Sequence, residues 1–564
     1  MTWNEQNKAN SIMDVLEGTV EEWYDQVDGL LKASDFIPGN YEYSINVAYA
    51  NSGEFQEGGQ THVDIGCDRF KIISLDNSYI TLEMVFPITK PKCTDAELTN
   101  VGEASANKQL IKPKAWYVGF KSAFDAIDQY RIYSNSDLIL TQNHANYESY
   151  LQYMSLSDSF KQNSELFATF EKVQAMNEDV PGVYITSTVA DNAEAVLNVP
   201  INLRIPLNMF LMLGNLKWFP GFFGKLTLEI YPSYKNLVVL PVYPISDAIF
   251  AATTVATSAT EAQIIARDTA PETNGTNKWG FKQINTNVLY AIVDTKADHT
   301  QALIEHAFTC DTSTTSKCHI RLAETVVRMD IYNQILARFV NKPMLFPIQT
   351  IISKDFSGAM PTSAGDRISM TMTNALNHCN SMFIVFKNSN GDRTCFENPM
   401  IKWQVNIDGK YFPREEYQTF DDKRNMNLFL DATNFNGNGL FSVSNDVYHS
   451  LQPFVKTRAY AAAGAGTEVH KYLIKDRSNF AIGIPFCEDD TFQAGIHSGG
   501  TVQVELVGSR TSIVPAKYAS VNPTGLYVED CILKLRAVKT SGEPQISFTH
   551  ATPEQLLATA VVAN

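Results

Sequence analysis

Positive charge is in deficit in this sequence. Its 564 residues carry 45 Lys and Arg against 61 Asp and Glu, a formal charge of −16 and a pI near 5.1. No overall field attracts phosphate backbones or anionic lipid, which argues against a nucleic-acid reader. Cysteine is sparse as well: Cys67, Cys93, Cys310, Cys318, Cys379, Cys395, Cys487 and Cys531 lie scattered with no framework spacing. Reduced thiols fit that usage better than a disulfide scaffold. Nowhere do ~18 apolar residues follow one another, so no membrane span is expected. Met1–Asn10 is polar and lacks the basic stretch and apolar run of an export signal. No Walker A loop, G-x-G-x-x-G, H-E-x-x-H, C-x-x-C or G-x-S-x-G occurs, so ATPase, dehydrogenase, metalloprotease, zinc-ribbon and serine-hydrolase readings lack support.

What is present points to strands. Hydrophobic residues make up 44% of the chain and charged residues 19%, a composition that fills a core and excludes a disordered or collagen-like chain. The length allows two to four domains. The 30 Gly and 23 Pro, set among short Val, Ile, Tyr and Phe runs, suit many strands joined by many turns. One exception lies near the start: Ile12, Leu16, Val20, Trp23, Val27 and Leu30 recur at helical spacing, with Asp14, Glu17, Glu21, Glu22, Asp25 and Asp28 on the other faces. This predicts an acidic amphipathic helix over 12–32. Its charge would be repelled by anionic lipid, so it docks on protein, either its own domain or another subunit.

The two halves repeat the same phrases in the same order. Trp116–Lys121 in the first is answered by Met382–Lys387 in the second. Arg131-Ile132-Tyr133 turns at Asn135-Ser136 into Leu138-Ile139-Leu140, as Trp403–Ile407 turns at Asp408-Gly409 into Tyr411-Phe412; Asp-Gly is a strong hairpin signal. Tyr147–Tyr150 is matched with Tyr417–Phe420, Ile205-Pro206-Leu207 with Ile484-Pro485-Phe486, and Gly224–Glu229 with Gly500–Glu505. The last pair alternates as a strand with one buried face does. Each phrase is weak alone, and their shared order signals a duplication.

The expected organisation is an arm at 1–36, a first β-sandwich at 37–300 with a surface excursion at 246–280, a second at 301–548, and a tail at 549–564. Ala461–Gly466 reads as a smaller surface loop. Helices are expected around 145–155 and 325–339, although Val326-Val327 equally suits a strand. Tyr117, Phe120, Ile205, Leu226, Leu228, Phe383, Phe386, Ile484, Val502 and Val504 are assigned to the core.

Candidate chemistry is thin. His306, Cys310, Cys318 and His319 are zinc-compatible ligand types at no standard spacing, and read as a loop with incidental thiols. Glu488-Asp489-Asp490 and Asp421-Asp422 offer carboxylates for calcium or a subunit bridge but read first as solvated turns. His497-Ser498 would point to opposite faces of a strand and reads as a turn. Asn274-Gly275-Thr276, a glycosylation pattern, reads as loop. No catalytic, cofactor-binding or metal residue is assigned, and no cofactor.

The Gly119–Lys121 strand with the Arg131 hairpin, Ile205-Pro206-Leu207 leading into Trp218-Phe219-Pro220 and Gly224–Glu229, Asn398-Pro399 through Ile407–Pro413, and Pro485–Asp490 carry a family resemblance. Over Tyr41 to Phe548 the chain resembles the double jelly-roll major capsid proteins of polinton-like viruses and virophages, in the adenovirus-hexon-like lineage. The resemblance implies an all-β fold of two tandem jelly-roll sandwiches with few short helices and long surface loops. It further implies a homotrimeric, pseudo-hexagonal capsomer tiling the facets of an icosahedral DNA-virus shell, in the virion and assembled inside a eukaryotic host cell. The implied partners are the protein itself, neighbouring trimers, and penton and minor or cement proteins. Residues 1–31 contain only Lys8 as a basic group, so no basic arm condenses DNA and no direct sequence-specific nucleic-acid contact is expected. The rival reading is a carbohydrate-binding or carbohydrate-cleaving β-sandwich protein, the latter needing two carboxylates in a cleft.

Overall fold

In the computed structural model the described residues fall within 41–49, 59–90, 115–151, 161–172, 179–186, 195–242, 288–294, 303–310, 315–341, 344–373, 379–386, 401–432, 481–485, 501–508, 522–540 and 543–551, with short stretches inside several of these left out. The helix of 12–32, the excursion of 246–280, the loop of 461–466, Asn274–Thr276, Asp421-Asp422, Glu488–Asp490 and His497-Ser498 lie outside the described residues.

The first half supplies β1 (Tyr41–Tyr49), β2 (Thr61–Ile65), β3 (Lys71–Lys90), β4 (Ala115–Gly119), β5 (Ile127–Ser134), β6 (Asp137–Asn143), β7 (Gly182–Thr186), β8 (Ala195–Pro206), β9 (Trp218–Pro220), β10 (Leu226–Pro232) and β11 (Val238–Val242), with one helical turn, α1 (Leu211–Gly214). Then come β12 (Val288–Asp294), β13 (Leu303–Cys310), β14 (Thr315–Val327) and helix α2 (Met329–Asn341). The second half runs β15 (Met344–Asp355), β16 (Arg367–Thr373), β17 (Cys379–Val385), β18 (Lys402–Ile407), β19 (Lys410–Gln418), β20 (Ala481–Pro485), β21 (Thr501–Val507), β22 (Thr524–Thr540) and β23 (Glu543–Ala551).

The second half states the winding most clearly. Its first eight strands form two antiparallel sheets, β15-β22-β17-β20 and β16-β21-β18-β19. Counted within the unit, the orders are 1-8-3-6 and 2-7-4-5, the jelly roll of two wrapped Greek keys. The first half repeats it with β2-β10-β5-β6 as 2-7-4-5 and β11-β4-β7 as 8-3-6. Register agrees to the residue. Ser134 pairs with Asp137 across one two-residue hairpin as Ile407 pairs with Lys410 across the other. Leu226 pairs with Ser134 as Val502 pairs with Ile407. Gly119 pairs with Val238 as Val385 pairs with Thr524, so Phe120 and Phe386 each follow the third strand of their unit. In the second hairpin Gly409 adopts φ +86°, the left-handed conformation that the Asp-Gly turn requires.

Two of the phrase matches do not survive. Ile484-Pro485 closes β20, whose counterpart is β7, whereas Ile205-Pro206 closes β8 and pairs with β3. The shared Ile-Pro is a likeness of composition alone, since the two dipeptides close strands of different rank in their units. Tyr417 and Gln418 are still in β19, whereas Tyr147 and Glu148 are helical; the helical counterpart in the second half includes Asn425, Leu428, Phe429 and Ala432.

The halves also divide later than residue 300. Strand β14 pairs with β1 and with β3 over Lys71–Val85, and β13 joins the same strand at Ile88–Thr89, so both complete a seven-stranded sheet of the first half. The changeover falls at α2. Val326-Val327 end β14, and the helix follows from Met329 with Tyr332 and Ile335 buried on one face. At the far end β23 extends to Ala551, past the expected limit at 548. All ten residues assigned to the core are buried.

The two cores interlock. The first is built on Ile80, Leu82, Met84, Phe86, Phe120, Leu226 and Leu228 but also takes in Ile348 and Leu533 of the second half. The second, around Phe383, Trp403, Ile482 and Val504, takes in Tyr147, Leu151 and Leu211 of the first. Burial of one such large apolar side chain contributes ~2–3 kcal/mol, so these exchanged residues fix one sandwich against the other. Gln142 adds a directed link: its amide nitrogen donates to the Ile351 carbonyl at 3.0 Å and its oxygen accepts from the Ile351 N–H at 3.3 Å.

Candidate assembly surfaces

Alternation sends one set of side chains from each 2-7-4-5 sheet into the core and the other set outward. On β10 Leu226, Leu228 and Ile230 point in; Thr227, Glu229 and Tyr231 point out. Glu229 nevertheless is only 4% exposed. Its Oε2 accepts from the Tyr133 phenol at 2.7 Å, its Oε1 from the Tyr231 phenol at 2.9 Å, and Arg131 Nη1 lies 3.9 Å away with its guanidinium 5.1 Å from the Tyr231 ring centre. Burial, then the hydrogen bond to Glu229, push the Tyr231 phenol above its ordinary value. The counterpart in the second unit is Glu505, at the equivalent place on β21. Arg367 bridges it at 2.6 Å to Glu416, also at 2.6 Å, and Lys402 reaches Glu416 at 3.4 Å. Exposed pairs of this type contribute ~0–1 kcal/mol each, so their main effect is to lay long side chains flat and hold the charge pattern of the face.

A second repeated feature sits beside the hairpin turns. Leu138 is 55% exposed and Tyr411 49% exposed, and each is the second residue of the returning hairpin strand in its unit. Single exposed apolar residues are ordinary. An exposed apolar residue at the equivalent place in both halves is a feature of the repeat.

A shallow groove where β2, β3 and β10 meet is lined by Asp64, Cys67, Asp68, Lys71, Lys225 and Glu324. Its charges are paired: Lys71 Nζ is 2.7 Å from Glu324 and 3.3 Å from Asp68, and Lys225 Nζ is 2.6 Å from Asp64. Burial first, then the Glu324 carboxylate, push the Cys67 thiol up to about 12, and its sulfur donates to the Lys71 carbonyl at 3.4 Å. A thiol held protonated is no nucleophile.

The zinc-type quartet is separated. Rather than one loop, His306 and Cys310 lie on β13 and Cys318 and His319 on β14. Cys310 pairs with Ile88 and Cys318 with Leu82, six residues or ~20 Å apart along β3. Cys318 and His319, adjacent in a strand, point to opposite faces. Among the described residues no three His, Cys, Asp or Glu side chains group as metal ligands, and no helix is long and apolar enough to cross a membrane.

One buried acid has no signature in the sequence. Glu148 is fully buried between the two cores; its Oε2 accepts from the Tyr130 phenol at 2.9 Å and its Oε1 from the Leu211 N–H at 3.2 Å. Burial outweighs both hydrogen bonds and lifts the carboxyl to about 8. No motif announces such a residue, because its partners come from 18 and 63 positions away.

No family model and no curated protein matches the sequence. Solved structures similar to the chain include the mavirus major capsid protein (10% identity, 91% of this chain and 92% of that one, TM-score 0.45), a chain of the Sputnik virophage (8%, 92% and 90%, 0.43) and the Faustovirus major capsid protein (9%, 88% and 90%, 0.40). At these scores the likeness adds no weight to the fold assignment, which rests on the order and register of the sheets.

Proposed function

We propose that this chain is a major capsid protein, a structural subunit without catalytic residues that trimerises into a pseudo-hexagonal capsomer and tiles the facets of an icosahedral DNA-virus shell. The observation that carries the reading is the register-matched duplication: β2-β10-β5-β6 and β16-β21-β18-β19 are the same sheet twice in one chain. Three such chains present six equivalent sandwiches, and a six-fold outline packs a plane. Sandwich interiors are filled by side chains, which leaves sheet faces, hairpins and end loops for contacts. Modest lateral contacts suffice when each trimer touches several neighbours. Leu138 and Tyr411, repeated at one position of both units, suit contacts made alike by the two halves. The location is the virion, with assembly in a eukaryotic host cell and penton and minor proteins as further partners. The formal charge of −16 leaves genome condensation to other basic proteins or a packaging motor.

Native mass measurement of the purified chain tests this directly. A stable trimer that forms sheets or shells under electron microscopy supports it. A monomer that retains glycans on an affinity column refutes it in favour of the carbohydrate reading.

A further inference from the structure

The seven-stranded sheet has an outward face unlike the rest of this acidic chain. Along β3, Ile80, Leu82 and Met84 turn inward while Tyr79, Thr81, Glu83 and Val85 turn out. The Arg204 guanidinium, from β8, stacks 3.8 Å from the centre of the Tyr79 ring. From the other side, Arg321 of β14 donates through Nη1 to the Tyr79 phenol oxygen at 3.1 Å, its guanidinium carbon 5.8 Å from the ring. Lys317 stands exposed on the same face, opposite Glu83, and Val47 of β1, 45% exposed, stands opposite Arg321. No carboxylate among the described residues forms an ion pair with Arg204, Arg321 or Lys317. The tyrosine orders both guanidinium groups at little entropic cost, and Arg with Tyr is the composition of an interface centre.

We propose that this face is the docking surface for the acidic segment 12–30 of this chain. The segment carries six carboxylates and no basic side chain. Asp14, Glu17, Glu21, Asp25 and Asp28 recur every three or four residues, so as a helix they form one stripe ~21 Å long. Arg204 faces Thr81 and Arg321 faces Tyr79, so they stand two strand spacings and two residues apart, ~12 Å, and Lys317 lies four residues, ~13 Å, along β14 from Arg321. The three cations therefore fit within the stripe. Reach is sufficient: residues 31–40 span up to ~33 Å, and they join β1, the edge strand of this same sheet, whose Val47 lies six residues or ~20 Å from Tyr41. The docking concerns the purified protein and stands whether or not the chain builds a shell.

A zero-length carbodiimide cross-linker, which joins an amine to a carboxylate only in direct contact, tests it on the full chain. Lys317 should link to peptides containing Asp14 to Asp28, and the yield should fall about tenfold between 0.05 and 1 M salt, as the screening length shrinks to ~3 Å. Arg204→Glu with Arg321→Glu should abolish the link at unchanged melting temperature, and adding Glu21→Lys and Asp25→Lys should restore it through the remaining carboxylates. Lys317 linking to other peptides alone, to none, or equally at both salt concentrations would overturn the proposal, and the wild-type salt series decides it even if a variant misfolds.

Discussion

Replacing Glu148 by Gln isolates a fully buried acid held between the two cores. In the folded chain the carboxyl titrates at about 8 against an ordinary 4.5, because burial costs more than the bonds from Tyr130 and Leu211 return. The folded state therefore holds a proton that the unfolded chain has released at neutral pH. Stability is unaffected by this group below pH 4.5, declines as pH rises from 4.5 to 8, and stays at its reduced level above 8. At 1.36 kcal/mol per unit, the cost is ~1 kcal/mol at pH 5, ~3 at pH 7 and approaches ~5 above pH 8. Glutamine keeps the acceptor for the Leu211 N–H and places an NH₂ against the Tyr130 oxygen, with no charge to desolvate. Urea unfolding of both proteins from pH 5 to pH 8 should give a stability difference in favour of Glu148→Gln that widens by ~2–3 kcal/mol between pH 5 and pH 7. A difference that stays constant with pH would mean that Glu148 is ionised and hydrated in the folded state, and the account of the joint would be wrong.

Other changes probe the sandwiches. A Cβ at Gly119 would lie 2.5 Å from the Gly182 Cα and from the Pro181 carbonyl oxygen; Gly119→Ala should lower stability by ~1–3 kcal/mol, read as an earlier urea midpoint. Trp403 is fully buried and its indole N–H donates to Asn425 Oδ1 at 2.9 Å; Trp403→Phe should cost ~1–3 kcal/mol through loss of that bond, and Asn425→Ala, which also loses the bond from Nδ2 to the Gln418 carbonyl at 2.7 Å, should shift the midpoint at least as far. Burial raises the Cys318 thiol to about 12, so peptide mapping after maleimide treatment at pH 8 should find it unlabelled until denaturant is added. Leu138→Glu with Tyr411→Glu should leave the melting temperature within ~1 °C while reducing higher assembly, since both side chains already face solvent in the single chain; unchanged assembly would remove the hairpins from the interface.

Legibility followed the range of the interaction. The hairpins at Asn135-Ser136 and Asp408-Gly409 and the Gly224–Glu229 and Gly500–Glu505 strands were readable because turn chemistry and period-two alternation are local. They sufficed for the duplication and the core. Glu229 and Glu505 stand inside a matched phrase, so the repeat itself carries a signal for the outer face. A boundary near 300 leaves no local mark because β13 and β14 look like any strands, and only their pairing with β3, far earlier in the chain, joins them to a sheet of the first half. Ile205-Pro206 misled because it shares composition, not position, with Ile484-Pro485. Glu148, Gln142 and the Arg204–Tyr79–Arg321 stack assemble from distant strands and leave no spacing to read.

The exchanged residues at the joint bear on how a duplicated chain could tile. If the two sandwiches were beads on a linker, their outer faces would be free to rotate, and each contact with a neighbour would carry the entropic cost of ordering them. Here Tyr147 and Leu211 of the first half fill the second core, Ile348 and Leu533 fill the first, and Gln142 clasps the Ile351 backbone from both its donor and its acceptor. The angle between the Glu229 and Glu505 faces is thus set during folding and brought ready-made to assembly. Gln142→Ala, which strands both backbone groups of Ile351, should therefore cost ~1–3 kcal/mol in urea unfolding and weaken association beyond that loss of stability. Should association remain unchanged in a variant destabilised by that amount, the joint serves folding alone and the relative orientation of the sandwiches is set by their neighbours.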